Sequence, residues 1–259
     1  MNLANKHCLV TGAGSGLGEA VARRLLSQGA RVTLVDINAE TGNRLATRLA
    51  ADFPGSSLFC HCDITAEDAV ASAIHQGIER FGSLFGLVNC AGIPGAERVI
   101  GREGPHRLSS FQRALNINLL GTFNMIRLCA DQMQHNEQEA TGERGVIINT
   151  ASVAAFDGQI GQAGYAASKA GVVAMTLPIA RELARFGIRV MTIAPGLFKT
   201  PMMAVLPDEV QQSLGAAVPF PARLGEPDEF AQLVQQIFEN CMLNGETIRL
   251  DGAIRMAAK

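Results

Sequence analysis

The 259-residue chain has no tryptophan and only one tyrosine, Tyr165, so that phenol stands out in a sequence that otherwise avoids the residue type. Neither sign of charge dominates. Lys and Arg number 22 against 24 Asp and Glu, a net charge of −2, which argues against nucleic-acid binding through a general basic surplus. No apolar run is long enough to cross a bilayer. The longest, Val172 to Ala180, is interrupted by Pro178. The opening residues, MNLANKHCLVTG, lead almost directly into a strand pattern, without a secretory leader or an Arg-rich presequence. The expectation is a cytoplasmic protein with no membrane contact. Six cysteines (Cys8, Cys60, Cys62, Cys90, Cys129 and Cys241) are scattered, mostly in apolar runs, and read as reduced thiols rather than a disulfide framework. Cys60-His61-Cys62-Asp63 invites comparison with a metal site. Along a strand, however, His61 faces away from both cysteines, and no second ligand pair follows at a suitable spacing. No metal is expected.

What is present is regular. Hydrophobic residues make up 47% of the chain, and β-type runs alternate with helical patterns from end to end. Strands are predicted at 7–11, 31–36, 57–62, 85–90, 145–150, 188–194 and 246–250. Helices are predicted near 16–28, 39–52, 66–81, 109–135, 165–186 and 227–239. The strands are apolar with little alternation, as in CLVT and GVIINTAS, which is the pattern of strands covered on both faces. This implies an α/β fold with a doubly wound, Rossmann-type parallel sheet of about seven strands and helices on both faces. No repeat, low-complexity tract or linker divides the chain, so residues 1–259 read as one domain. Two segments break the rhythm, 93–107 and 196–222. Both follow predicted strand C-termini, and the second is expected to be a substrate lid.

Between the first strand and first helix lies Thr11-Gly12-Ala13-Gly14-Ser15-Gly16-Leu17-Gly18. Glycines there permit a tight turn, let the backbone approach a pyrophosphate, and aim helix N–H groups at the anion. The spacing is G-x-x-x-G-x-G from Gly12, so its strand-to-helix context carries the reading. Gly12, Ser15, Gly16, Leu17 and Gly18 are the expected phosphate contacts. Asp36 ends the second strand, 18 residues beyond Gly18. A carboxylate there can accept both ribose hydroxyls of an adenosine and would repel a 2′-phosphate, which favours NAD. Asp36 or Asn38 could instead cap the following helix. Asp63, with Ile64 after it, closes the third strand within reach of an adenine.

Tyr165 and Lys169 are four residues apart, on one face of a predicted helix. A neighbouring ammonium favours phenolate, and is expected to draw the phenol down from its usual pKa of about 10. Tyr165 then serves as acid or base for an alcohol proton, and Ser152, after the strand VIINT, orients the substrate oxygen. Asn118 falls inside a predicted long helix, where asparagine is unfavourable. It either holds a water that relays protons from Lys169 or is a buried structural amide, and Asn116 competes with it for either part.

These residues together resemble the short-chain dehydrogenase/reductase family. The similarity runs over essentially the whole chain, through TGAGSGLG, Asp36, Asp63, Asn89-Cys90-Ala91-Gly92, Asn118, Ser152, Tyr165, Lys169, Pro195-Gly196 and Thr200. The resemblance implies a nicotinamide cofactor contacted also by Cys90, Ala91, Gly92, Tyr165, Lys169, Pro195, Gly196, Phe198 and Thr200. In the second half, NTASVAAFDGQIGQAGYAASKAG, GIRVMTIAPGLFKTPM and LNGETIRLDGAIRM are similar to the family's type 2 3-hydroxyacyl-CoA dehydrogenases. That implies NAD-dependent oxidation of the 3-hydroxyl of an acyl-CoA, a substrate pocket touched by Ser152, Gln162 and Tyr165, and a homotetramer. Residues 93–107 depart most from the pattern. Steroid or xenobiotic alcohols are alternative substrates on the same scaffold, and an NAD-binding scaffold without catalysis is the alternative of a different class. Arg98, Arg102, Lys199 and Arg223 could receive CoA phosphates or be solvated surface charges.

Overall fold

Apolar strands without alternation need cover on both faces, and the chain supplies it with helices between successive strands. A computed structural model describes residues 3–258. Strands β1 (His7–Thr11), β2 (Arg31–Asp36) and β3 (Ser57–His61) are separated by α1 (Gly16–Ser27) and α2 (Ala39–Asp52). Helix α3 (Glu67–Phe81) leads into β4 (Leu84–Asn89). Residues 93–107 carry a two-residue hairpin, β5 (Ile100–Gly101) and β6 (Gly104–Pro105), which precedes α4 (Leu108–Leu115). A π-helical stretch (Asn116–Gly121) then joins α4 to α5 (Thr122–Met133). The remainder is β7 (Gly145–Thr150), α6 (Ala163–Leu183), β8 (Ile188–Pro195), α7 (Pro201–Ala204), α8 (Asp208–Ala216), α9 (Pro227–Glu239) and β9 (Thr247–Leu250).

Seven strands form a parallel sheet in the order β3-β2-β1-β4-β7-β8-β9. Alternate residues of each strand enter opposite cores. Cys8 and Val10 of β1 pack with Leu25, Leu45, Phe230 and Phe238 beneath α1, α2 and α9. Leu9 packs with Ile74, Met125, Met133 and Ala180 beneath α3, α5 and α6. Each fully buried Leu, Val or Phe contributes about 1.5–3 kcal/mol. The strand order reverses between β1 and β4, which opens a crevice at their carboxyl ends. No helix among the described residues is long and apolar enough to cross a membrane.

The predicted helix over 109–135 is therefore three pieces, and residues 196–222 hold two short helices, α7 and α8. Far from the crevice, the buried Arg189 side chain ties the sheet to its surroundings. Its Nε donates to Glu143 at 2.5 Å, and its terminal nitrogens donate to the carbonyls of Leu243 and Phe238.

At the same end of the sheet, away from the crevice, His7 is 1% exposed. Its ring lies 3.0 Å from the Gly82 carbonyl through Nδ1 and 2.9 Å from the Thr33 hydroxyl through Nε2. Since only a donor suits the carbonyl, Nδ1 carries the proton and neutral Nε2 accepts from Thr33. Burial brings the ring's pKa down to about 4, with the Gly82 bond acting in the opposite sense. The folded protein thus binds this proton less readily than the unfolded chain. His7 contributes stability that is complete above the unfolded value of 6.5 and declines as pH falls toward about 4. Between about pH 7 and about pH 5 the wild type should lose roughly 2 kcal/mol more unfolding free energy than His7→Gln. Denaturant titrations of both proteins measure this, and equal losses would contradict it.

Candidate active site

The crevice is a cavity of about 590 Å³ floored by the ends of β1, β4 and β7 and roofed by residues following β8. Gly12 turns the chain out of β1 with φ +61, and a Cβ there would lie 2.8 Å from the Ala91 backbone. Only glycine allows that approach. Thr11 Oγ1 accepts the N–H groups of Cys90 and Ala91, both at 3.1 Å, fastening the ends of β1 and β4 together. Ser15 precedes α1 without a side-chain cap, so the first-turn N–H groups of α1 remain available for an anion.

Asp36 is held from two sides. One carboxylate oxygen accepts Gly14 N–H and the other accepts Asn38 N–H, both at 2.8 Å. Capping of α2 falls to Asn38, whose side chain accepts from Thr41 N at 3.1 Å. This leaves Asp36 as an acceptor-only group lining the cavity. Asp63 also lines it, oriented by hydrogen bonds from the Thr65 backbone and hydroxyl. Ile64, Cys90, Gly92, Pro195, Gly196, Phe198 and Thr200 complete the wall that the sequence assigned to a cofactor. Glycine backbone at a helix start and a carboxylate at the end of β2 form a donor and acceptor set that fits a nicotinamide dinucleotide.

Ser152 stands two residues past β7, where its Oγ accepts the Ala154 N–H at 3.1 Å. The phenol of Tyr165, in the first turn of α6, faces the Ser152 side chain, which favours its ionised form. Lys169, one turn later, is 5% exposed and donates to the Thr150 carbonyl at 2.8 Å. This arrangement corrects one expectation. Burial pushes the Tyr165 phenol above its ordinary value, and the Ser152 side chain opposes that rise. Lys169 is not among the groups that draw it down, and its amine donates to the Thr150 carbonyl. The same desolvation lowers Lys169 to about 8, with Cys90 acting in the opposite direction.

Asn118 lies in the π-helical stretch and is fully buried, whereas Asn116 is exposed. Its Oδ1 accepts Ile93 N–H at 2.8 Å. Its Nδ2 donates to the Ile93 carbonyl and to Ser168 Oγ, each at 3.0 Å. Ser168 Oγ in turn donates to the Tyr165 carbonyl at 2.7 Å. Asn118 therefore couples the exit of β4 to α6. A Cβ on Gly92 would meet Asn118 Oδ1 at 3.1 Å and Lys169 Nζ at 3.3 Å, so both groups flank this glycine.

Gln162 is not brought into the cavity. It sits at the start of α6 with its side-chain carbonyl accepting Gln159 N–H at 3.0 Å. Lys199 and Arg223 are paired with Glu226 and Glu229. Neither they nor Arg98 and Arg102, in the hairpin segment, line the cavity. Residues that do line it without having been anticipated include Ile93, Arg113, Ile117 and Thr150, with Met202, Met203 and Leu206 from the lid. The unusual methionine pair after Thr200-Pro201 was a legible signal for the lid residues. Arg113 carried none.

A profile of the short chain dehydrogenase family matches residues 6–211. The chain is 55% identical to the 3-hydroxyacyl-CoA dehydrogenase type-2 of Bos taurus, over 96% of this chain and 94% of that protein. Among solved structures, the 3-hydroxyacyl-CoA dehydrogenase type-2 of Mycobacterium avium superposes with TM-score 0.93 at 40% identity, covering 98% of each chain. The 3-ketoacyl-(acyl-carrier-protein) reductase of Brucella melitensis, a complex with NADH, superposes with TM-score 0.85 at 28% identity, covering 98% of this chain and 100% of that one. With the glycine turn, the Ser152–Tyr165 pair and buried Lys169 in one crevice, and this similarity along its length, the chain belongs to the short-chain dehydrogenase family of oxidoreductases.

Proposed function

We infer that the protein interconverts a secondary alcohol and a ketone with NAD, the pair being 3-hydroxyacyl-CoA and 3-oxoacyl-CoA. The observation that carries this is the Ser152–Tyr165 hydroxyl pair above buried Lys169, in a cavity whose far end presents Asp36. The names of the similar proteins support the substrate class. So does the lid, whose Met202, Met203 and Leu206 offer adaptable apolar contact to an acyl chain.

Ser152 donates to the substrate oxygen and fixes it beside Tyr165. Tyr165 takes the carbinol proton during oxidation and returns it during reduction. NAD, when bound, would supply the hydride acceptor. Lys169 is placed to pass the proton onward to solvent, through a water that Asn118 would hold. Gly12, Ser15, Gly16, Leu17 and Gly18 would hold the pyrophosphate, and Cys90 to Gly92 with Pro195, Gly196, Phe198 and Thr200 the nicotinamide half.

Asp36 supports NAD over NADP, because its carboxylate accepts ribose hydroxyls and repels a 2′-phosphate. We take residues 1–259 as one catalytic domain, since strands from both halves join one sheet. Apolar side chains left exposed along α4–α5 and α6, including Leu108, Leu120, Phe123 and Leu177, support assembly of copies into the expected tetramer. Six unpaired cysteines, with Cys8, Cys60, Cys62 and Cys129 buried, suit a reducing compartment such as the cytoplasm.

The substrate reading is tested by NADH consumption with acetoacetyl-CoA beside a free β-keto ester and a steroid ketone. Higher kcat/KM for the thioester supports it, and turnover of the free ketones alone would remove the acyl-CoA assignment. For the cofactor, Asp36→Ser should shift the NAD:NADP ratio of kcat/KM toward NADP by about 10- to 100-fold. An unchanged ratio would show that Asp36 does not face the ribose.

A further inference from the structure

Charge along the cavity is unevenly placed. Its carboxylates, Asp36 and Asp63, stand together at the β2–β3 end. Elsewhere its cations are Lys169, buried against Thr150, and Arg113, on the exposed side of α4. A second cavity of about 200 Å³ adjoins the first, and Ile93, Arg113 and Tyr165 line both. Arg113 therefore stands where the two cavities meet, with Tyr165 on the same boundary.

The other ionisable groups facing the second cavity are Glu97, His106 and Arg107. They satisfy one another. Glu97 accepts the Arg107 backbone N–H at 2.6 Å and its guanidinium at 3.1 Å, and the His106 ring lies 3.9 Å away. The Arg113 guanidinium has no hydrogen-bond or ion-pair partner among the described residues. Arg113 is thus an exposed positive charge with no protein anion, where the two cavities meet.

We propose that Arg113 is a specificity-determining residue, binding an anionic oxygen on the part of the substrate that extends beyond the reacting carbinol. This rests on the alcohol–ketone reading of the cavity given above. Guanidinium keeps its charge at every working pH and presents a planar fork that suits both carboxylate and phosphate. Two substrate sources supply such oxygens, the phosphates of a coenzyme A carrier and the free carboxylate of a short 3-oxo acid.

The test uses the full-length enzyme with NADH and four ketones. These are acetoacetyl-CoA, its short neutral thioester acetoacetyl-N-acetylcysteamine, acetoacetate and ethyl acetoacetate. For Arg113→Gln, kcat/KM should fall about 10- to 100-fold for the anionic member of one pair while its neutral partner changes little. Arg113→Lys should recover part of the loss. Selective loss in the thioester pair identifies the carrier phosphates, and selective loss in the acid–ester pair identifies the carboxylate. An equal fall for all four ketones, or no change in any, would overturn the assignment, and the neutral substrates report whether the variant is folded. Failure of the wild type to reduce any of the four would overturn the 3-oxoacyl reading of the cavity, and the role of Arg113 with it.

Discussion

The hydrogen bond from Lys169 Nζ to the Thr150 carbonyl joins the two elements that carry the reactive hydroxyls. Ser152 follows Thr150 by two residues, and Tyr165 precedes Lys169 by one helical turn. Fixing amine to carbonyl therefore fixes the serine relative to the phenol. A buried ammonium loses several kcal/mol of hydration, and one charged hydrogen bond returns only about 1.5–3 kcal/mol. The imbalance is visible in Lys169 itself, whose pKa falls to about 8. α6 is gripped at the adjacent residue too, since Ser168 bonds to Asn118, which holds the exit of β4 through Ile93. Deeper along α6, Thr176 meets Thr192 of β8 at 2.6 Å between hydroxyl oxygens.

The cofactor half depends on a different constraint, the close approach of backbones where the strand order reverses. Gly12 against Ala91, and Thr11 between Cys90 and Ala91, bring the phosphate turn and the end of β4 to one wall. Asp36 is oriented by that same turn through Gly14 N–H. The glycine turn and the carboxylate at the end of β2 are thereby tied to one another by backbone hydrogen bonding.

Much of this was legible in the sequence because it is local or periodic. Residues 7–11, 31–36 and 145–150 are strands as their apolar runs predict, and the glycine turn lies between β1 and α1 as its composition requires. What escaped was tertiary. The predicted helix over 109–135 gives no hint of its π-helical stretch, which accompanies the bonds of Asn118 to a segment 25 residues away. Spacing does not separate Asn118 from Asn116, whereas burial does. Four-residue spacing placed Lys169 near Tyr165 but could not reveal that the amine turns to a strand carbonyl. Gln162 was assigned to the cavity by resemblance, yet its side chain is occupied by its own loop at Gln159. Arg113 is one arginine among many in sequence and becomes distinct only when every neighbouring charge is seen to be paired.

The central claim is that Tyr165 moves the proton while the rest of the crevice holds cofactor and substrate. Its most direct test is Tyr165→Phe, which keeps the ring and removes only the hydroxyl. The account predicts a loss of turnover of roughly 10²- to 10⁴-fold, with the dissociation constant for NADH, read by its fluorescence, nearly unchanged. A variant that retains most of its turnover while binding NADH normally would contradict the account.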